Sequence, residues 1–263
     1  MQDVHIHFLH GHGGGYTIDY YDQFIAAAQS AGLAEIWLLE HTHQFREFAA
    51  VYAPIRASSD YQREWLARKM TGSIEDYLAF ISRVRMQDVP VKVRFGLEVC
   101  YIPEREDRLA SILDEYQVDF LAGAVHWIDG WGFDHQAEHW QGKDVDKMYR
   151  RYYQIMADLA DSGLFDGLAH PDSIKCFGHY PAIDLTADYE RLALLLGKQG
   201  MYAEQSGGLA LNYGFPELGL NRKLLAVLQD NGITIRTASD AHQVSDVGRN
   251  IPELLRLLER GTT

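Results

Sequence analysis

Short apolar and β-branched segments alternate along the chain with longer segments whose apolar residues recur at helical spacing. Seven short segments are predicted to be strands: Asp3–His7, Glu35–Leu39, Val91–Leu97, Phe120–Val125, Phe165–Ala169, Met201–Ala203 and Thr234–Thr237. Helices are predicted between and after them: Ile18–Ala31, Ser73–Gln87, Arg105–Glu115, Val145–Ser162, Thr186–Gln199, Pro216–Asp230 and Ile251–Arg260. Because strands that alternate with helices are typical of βα units around a parallel sheet, the pattern predicts an α/β fold.

Two segments, Gln44–Gly72 and Trp127–Asp144, show neither pattern and are predicted to be long irregular loops. Loops of that length in a compact domain often serve as lids or binding surfaces. The chain has 263 residues, of which 47% are hydrophobic, and this suits one barrel-sized core. We therefore expect residues 1–263 to form a single domain.

Charge and cysteine content narrow the class of protein. The formal net charge of −13 leaves no excess of cations to neutralise a nucleic-acid backbone, so nucleic-acid binding is not expected. Cys100 and Cys176 cannot form a disulfide framework, which favours a reducing compartment. Because the chain also lacks a signal-peptide pattern and a long apolar run, we expect a cytoplasmic protein that does not enter a membrane. No feature of the sequence selects an oligomeric state.

The sequence contains 12 histidines, and several of them fall at predicted strand ends together with acidic residues. Six of the seven predicted strands carry or immediately precede such residues: His5 and His7, Glu40 and His41, Glu98, His126, His170, and Asp240 with His242. In a closed parallel barrel the C-terminal strand ends share one face. We therefore expect these side chains to converge there.

A metal centre explains this convergence better than a set of hydrogen-bonded core histidines. Strand alternation points the imidazoles of His5 and His7 to the same side, which suits two ligands of one metal. Separate core histidines would each carry a desolvation cost without a common purpose. The ligand set is too large for one tetrahedral zinc site and predicts two or three divalent ions, such as zinc, manganese or iron. Because neighbouring metals can bind a phosphate and activate a bridging water, phosphoester hydrolysis is the predicted chemistry.

Five motifs, spread over nearly the whole chain, are more specific: Asp3-Val4-His5-Ile6-His7, Gly96-Leu97-Glu98-Val99, Ala124-Val125-His126-Trp127-Ile128-Asp129-Gly130, Phe165-Asp166-Gly167-Leu168-Ala169-His170-Pro171-Asp172 and Ser239-Asp240-Ala241-His242. In this order they resemble the polymerase and histidinol phosphatase family, and within it the histidinol-phosphatase branch. The resemblance implies a distorted (β/α)7 TIM-like barrel with a metal site at the C-terminal strand ends.

The resemblance also implies how the ligands divide among three metals. The first metal is implied on His5, His7, Glu98 and Asp240, the second on Glu98, His126 and His170, and the third on His12, His41 and His242. Glu98 would bridge the first two metals. Relatives usually carry the third N-terminal histidine at the spacing that Gly13 occupies here, so His12 is the expected ligand and His10 its alternative.

Substrate contacts are harder to place, because the family's phosphate-binding arginine after strand six is missing from Glu204-Gln205-Ser206-Gly207-Gly208-Leu209-Ala210. Lys175 is expected to reach a phosphate from the top of the barrel, although a solvated helix lysine fits the same position. Trp127 is expected either to form a pocket wall or to pack its loop onto the barrel. Four other histidines are expected to be surface or hydrogen-bonding residues: His43, His135, His139 and His179.

The leading hypothesis is a metal-dependent phosphomonoesterase that hydrolyses L-histidinol phosphate to L-histidinol and phosphate, through in-line attack by a metal-bridging hydroxide. Glu98, Asp240 and His242 are the expected catalytic residues, and Asp240 or His242 would protonate the leaving alkoxide.

Three alternatives stay open. The missing arginine allows a phosphatase or phosphodiesterase of the same fold that acts on a nucleotide or sugar phosphate. A polymerase-associated or non-catalytic metal-binding module is the second. The third is an amidohydrolase that acts on C–N bonds, but its bridging lysine has no counterpart at a strand end here. The leading hypothesis makes a small phosphorylated metabolite the expected partner.

Overall fold

The computed structural model describes residues 1–9 and 15–260. Its strands are β1 (Gln2–His7), β2 (Glu35–His41), β3 (Lys92–Cys100), β4 (Phe120–Ala124), β5 (Trp127–Ile128), β6 (Trp131–Gly132), β7 (Gly167–Leu168), β8 (Tyr202–Ser206) and β9 (Ile235–Ala238). Within the described residues, β1, β2, β3, β4, β7, β8 and β9 form one parallel sheet in that order. The two short strands β5 and β6 pair separately as an antiparallel hairpin.

The first and last strands of the sheet meet and close it into a barrel. The backbone N–H of His7 donates to the carbonyl of Ala241 at 2.8 Å, and the N–H of Asp240 donates to the carbonyl of His5 at 3.0 Å. The Thr237 hydroxyl donates to the carbonyl of Gln2 at 3.0 Å. The predicted seven-stranded, distorted TIM-like barrel is confirmed.

Helices connect the strands and cover the outside of the barrel: α1 (Ile18–Ser30), α2 (Ala53–Ser58), α3 (Asp60–Lys69), α4 (Ile74–Val84), α5 (Glu106–Leu113), α6 (Val145–Asp161), α7 (Thr186–Gln199), α8 (Gly208–Tyr213), α9 (Arg222–Asp230) and α10 (Ile251–Arg260). Side chains of Thr17, Ser73, Asp144 and Asn221 accept a backbone N–H in the first turn of α1, α4, α6 and α9. These caps fix where the predicted helices begin. No helix of the described ranges is long and apolar enough to cross a bilayer.

The structure corrects several predicted boundaries. The expected loop Gln44–Gly72 contains α2 and α3. The sequence does not predict α3, because its buried residues, Gln62 and Leu66, are too few to show a helical period. The segment Trp127–Asp144 contains the β5–β6 hairpin and a 3-10 turn. The helix predicted from Pro216 begins only at Arg222, where Asn221 caps it.

The interior of the barrel has an aromatic layer on the N-terminal side of its strands. The ring of Trp37 lies 4.6 Å from that of Phe120 and 5.5 Å from that of Tyr202, measured between centroids. Gly167 is required beside this layer, since a Cβ atom there would lie 2.1 Å from the Tyr202 ring. The apolar layer fills one end of the barrel and leaves the other end to the polar strand ends.

Candidate metal centre

Strand β1 directs two imidazoles into the barrel through an irregularity in its pairing. The register between β1 and β2 shifts between Asp3 and Ile6. Val4 packs in the interior aromatic cluster, yet the next residue, His5, also faces the interior, so the shift breaks the usual alternation. His7, two residues further along the strand, faces the same side as His5, and their Nε2 atoms lie 3.1 Å apart.

Glu98, on β3, is buried at the centre of five imidazoles. Its two carboxylate oxygens lie at these distances from ring nitrogens: 3.3 Å from His5 Nε2, 3.2 Å from His7 Nε2, 2.8 Å from His41 Nδ1, 2.7 Å from His126 Nε2 and 3.1 Å from His170 Nε2. The first three face Oε2 and the last two face Oε1. One carboxylate therefore joins two groups of histidines, as a bridging ligand must.

Asp240 and His242 complete the group from the loop after β9. Asp240 Oδ1 lies 3.7 Å from His5 Nε2 and 3.5 Å from His7 Nε2, and the His242 ring stacks on that of His7 at 4.5 Å. Asp240 has a φ of 56° and His170 a φ of 29°, and neither is glycine. Such left-handed residues cost about 1–3 kcal/mol each and persist where the surroundings hold them, often at functional sites.

The potential ligand atoms form four overlapping groups that could each hold an ion: His7, His41 and His242; His5, His7 and Asp240; His5, Glu98 and His170; and His41, Glu98 and His126. All atoms within a group lie within 4.8 Å of one another. The structure thus brings together eight of the nine sequence-predicted ligands. The ninth, His12, and its alternative His10 lie outside the described residues.

The electrostatics of the cluster keep its two carboxylates, Glu98 and Asp240, ionised. Burial opposes ionisation of Glu98, but His41, His126 and His170 together hold the pKa of this carboxyl well below its usual range. Burial also opposes the charge on Asp240, yet the nearby imidazoles, led by His242, lower its pKa as well. Burial lowers the pKa of His242 to about 4, so this imidazole is neutral near pH 7. Burial opposes the charge on His5 and His126, but Glu204 and Asp134 hold the pKa of these two imidazoles well above the usual value. Because metals bind ionised carboxylates and neutral imidazoles, metal binding at these two residues would release protons.

Two further carboxylates, the buried Glu204 and the partly buried Asp134, contact the imidazoles on the side away from Glu98, and the sequence patterns do not single them out. The Glu204 carboxylate oxygens lie 3.0 and 3.1 Å from His5 Nδ1, and Oε2 accepts the backbone N–H of His170 at 3.0 Å. Asp134 Oδ2 lies 2.7 Å from His126 Nδ1. Such partners orient a metal-binding histidine and fix its tautomer. Glu204 directly follows the sixth predicted strand, and an acidic residue at a strand end is a signal that could have indicated its role. Asp134 lies in a loop, where its position gives no such signal.

A cavity of about 610 Å³ opens above the cluster. Candidate ligands form part of its wall. The wall also includes four ring-bearing residues from the turn after β2, from α3 and from the β5–β6 segment: His43, Trp65, Trp127 and His135. The structure therefore places Trp127 in the cavity wall. The Trp127 indole N–H also donates to Gln62 Oε1 at 2.9 Å, so the same residue packs its loop against α3.

Lys175 is held elsewhere. Its ammonium lies 2.7 Å from Asp172 Oδ2 and donates to the carbonyl of Gly219 at 2.8 Å, and the side chain is 2% exposed. It is not among the described residues that line the cavity. The structure thus gives Lys175 a role in joining the loop that contains Asp172 to the loop that contains Gly219.

Comparisons with known proteins agree with this architecture. Residues 3–206 match the sequence profile of the PHP domain. A protein of Deinococcus radiodurans named "Probable histidinol-phosphatase" is 29% identical over 258 residues, which cover 94% of this chain and 88% of the relative.

Two solved structures share the fold, each at 17% identity. The hisK protein of Listeria monocytogenes has a TM-score of 0.76, with 96% of this chain and 99% of that chain covered. The histidinol phosphate phosphatase of Lactococcus lactis, solved with zinc, L-histidinol and phosphate, has a TM-score of 0.72, with 99% and 93% covered. At this identity the two likenesses establish a common fold.

Proposed function

Because this chain belongs to the PHP domain family, we propose that it is a metal-dependent phosphomonoesterase that hydrolyses L-histidinol phosphate to L-histidinol and phosphate. The match confirms the family that the five motifs predict. The observation that carries the proposal is Glu98, a buried ionised carboxylate among five imidazoles, three of which line the cavity: His41, His126 and His170. The D. radiodurans relative, named as a histidinol-phosphatase, supports the choice of substrate.

We propose that these residues hold two or three divalent metals. His5, His7, Glu98 and Asp240 would hold the first, Glu98, His126 and His170 the second, and His12, His41 and His242 the third. Of the four described ligand groups, His5, His7 and Asp240 fall within the first set, and the other three groups each join residues of two neighbouring sets, which suits metals that share a bridging ligand. Imidazole and carboxylate donors suit zinc, manganese and iron, and the L. lactis relative was solved with zinc.

When bound, the metals would lower the pKa of a coordinated water, and their positive charge would stabilise the phosphate oxygens. The protein contributes preorganisation, because Glu204 and Asp134 fix the imidazoles of His5 and His126 before substrate arrives. Asp240 is ionised and lies at the cavity wall. It would accept the proton of the attacking water and pass it to the oxygen of the leaving alcohol. Asn212 donates to Asp240 Oδ2 at 3.2 Å and orients this carboxylate.

A panel of phosphate esters tests the substrate. Metal-loaded protein is assayed for phosphate release with L-histidinol phosphate, a sugar phosphate, a nucleoside monophosphate and p-nitrophenyl phosphate. We expect kcat/KM for L-histidinol phosphate to exceed that of the other esters by about a hundredfold, because a site built for a substrate's polar groups rejects esters that lack them. A Glu98→Gln variant should lose activity toward all four.

A second candidate is a phosphatase of the same fold for another small ester. The segment after β8, which lacks the family's phosphate-binding arginine, favours this reading. Equal or higher kcat/KM for the sugar or nucleoside phosphate in the same panel would select it over histidinol phosphate.

A further inference from the structure

Lys69, the last residue of α3, lines the cavity above the ligand cluster. Among the described residues of the cavity wall it is the one lysine or arginine. We propose that Lys69 binds the phosphate dianion of the substrate and so replaces the arginine that is missing after β8. This inference rests on the proposed phosphatase function, and it assigns the phosphate contact within that site.

The other charged groups of the wall already have partners close by. Asp134 faces His126 at 2.7 Å, Asp240 accepts the amide of Asn212, and Asp246 Oδ2 accepts the amide of Gln243 at 2.7 Å. The ion pairs of the described residues engage four other lysines, but not Lys69: Lys92, Lys175, Lys198 and Lys223. Within residues 1–9 and 15–260, no carboxylate therefore forms an ion pair with the Lys69 ammonium at the cavity wall.

Successive ring contacts connect Lys69 to His41, one of the candidate metal ligands. His41, a candidate ligand, stacks on His43 with centroids 4.4 Å apart, and His43 lies 4.9 Å from the ring of Trp65. The Lys69 ammonium lies 5.8 Å from the Trp65 ring, one helical turn further along α3. Trp65 also contacts the His135 ring at 4.5 Å, which fixes the indole that supports the lysine stem.

The charge of a phosphate monoester favours such a cation in addition to the metals. The ester is dianionic near pH 7, and the wall of the cavity also contains the carboxylates of Asp134, Asp240 and Asp246. A flexible ammonium offers a compact charge with three donors that can follow the phosphate. Lys175, the lysine that the sequence favours for this role, is already locked onto Asp172 and Gly219.

The test compares Lys69→Met and Lys69→Arg with a matched control, Arg68→Met, which removes an exposed cation from the same helix end. The metal-loaded full chain is used throughout, and metal content is measured for each variant. Inhibition by inorganic phosphate and the KM of the ester are the readouts. Lys69→Met should weaken phosphate inhibition and raise KM about ten- to a hundredfold, with normal metal content.

Lys69→Arg should stay within about threefold of the unmodified protein, because it keeps the charge. Arg68→Met should leave both readouts unchanged. Unchanged phosphate inhibition in Lys69→Met would overturn the proposal, and so would an equal loss in Arg68→Met, which would indicate a general effect of surface charge. If the unmodified protein hydrolyses no ester, the proposed function fails, while calorimetric titration of inorganic phosphate into the same variants still decides the role of Lys69.

Discussion

Replacing Glu204 by glutamine would separate the two candidate ligands that its carboxylate holds together. Glu204 is fully buried, and both of its carboxylate oxygens face His5 Nδ1. Its Oε2 atom also accepts the backbone N–H of His170. Glutamine has nearly the same shape, but both carboxylate oxygens of Glu204 face His5 Nδ1, so the NH₂ group of glutamine would face that ring nitrogen in either orientation. The His5 ring would lose an acceptor in both orientations, and the His170 N–H would lose its acceptor in one of them, so at least His5 would lose its position.

The expected magnitude follows from these contacts. Removal of the partner that orients a metal-binding histidine costs about 10–100-fold in metal affinity, or about 1.4–2.7 kcal/mol. One buried donor left without an acceptor costs about 1–3 kcal/mol of folding stability in addition. The stability loss alone would not change metal affinity in a protein that remains folded, so the two effects can be measured separately.

Metal affinity is measured by titration in a chelator-buffered solution, and stability by urea unfolding of the metal-free protein. Gln205→Met is the matched control, because Gln205 is the next buried residue on β8 and its Oε1 accepts the backbone N–H of Leu220 at 2.8 Å. It should lose stability but keep its metal affinity. The reasoning is refuted if Glu204→Gln binds metal as tightly as the unmodified protein, or if Gln205→Met loses as much affinity.

Three further predictions concern residues around the cluster. Lys175→Met should lower the free energy of unfolding by about 3 kcal/mol in urea, because it leaves Asp172 buried without its cation; a loss below about 1 kcal/mol would contradict this. Gly208→Ala should reduce kcat/KM about a hundredfold at saturating metal, because its Cβ would lie 2.0 Å from Asp240 Oδ2 and displace that carboxylate; full activity would show that Asp240 can move freely. Both cysteines are buried, and burial raises the pKa of Cys100 to about 12, so a thiol reagent at pH 8 should label them only after denaturation.

The sequence predicts the barrel and most of the cluster because both depend on local patterns. Strand and helix periods are local, and Gly32 and Gly232 end two helices with φ of 68° and 69°, the left-handed conformation that favours glycine. The convergence of His126 and His170 on Glu98 then follows from parallel topology. Such features can be predicted without coordinates.

Other features depend on contacts between distant residues, which no local pattern reports. The burial of Lys175 depends on Gly219, 44 residues away. The exposure of Lys69 to the cavity depends on α3, whose buried residues are too few to show a helical period. Asp134 meets His126 only because the β5–β6 hairpin turns the chain back between them. These three positions decide which side chains support the ligands and which face the substrate.

The most direct test of the account is phosphate release from L-histidinol phosphate by metal-stripped protein as defined equivalents of zinc or manganese are added back. We predict that the stripped protein releases no more phosphate than buffer alone. The rate should rise with added metal and saturate at two or three ions per chain, because the four ligand groups share residues and cannot all be filled at once. Undiminished release by the stripped protein would contradict the metal-dependent mechanism and remove the proposed role of the cluster around Glu98.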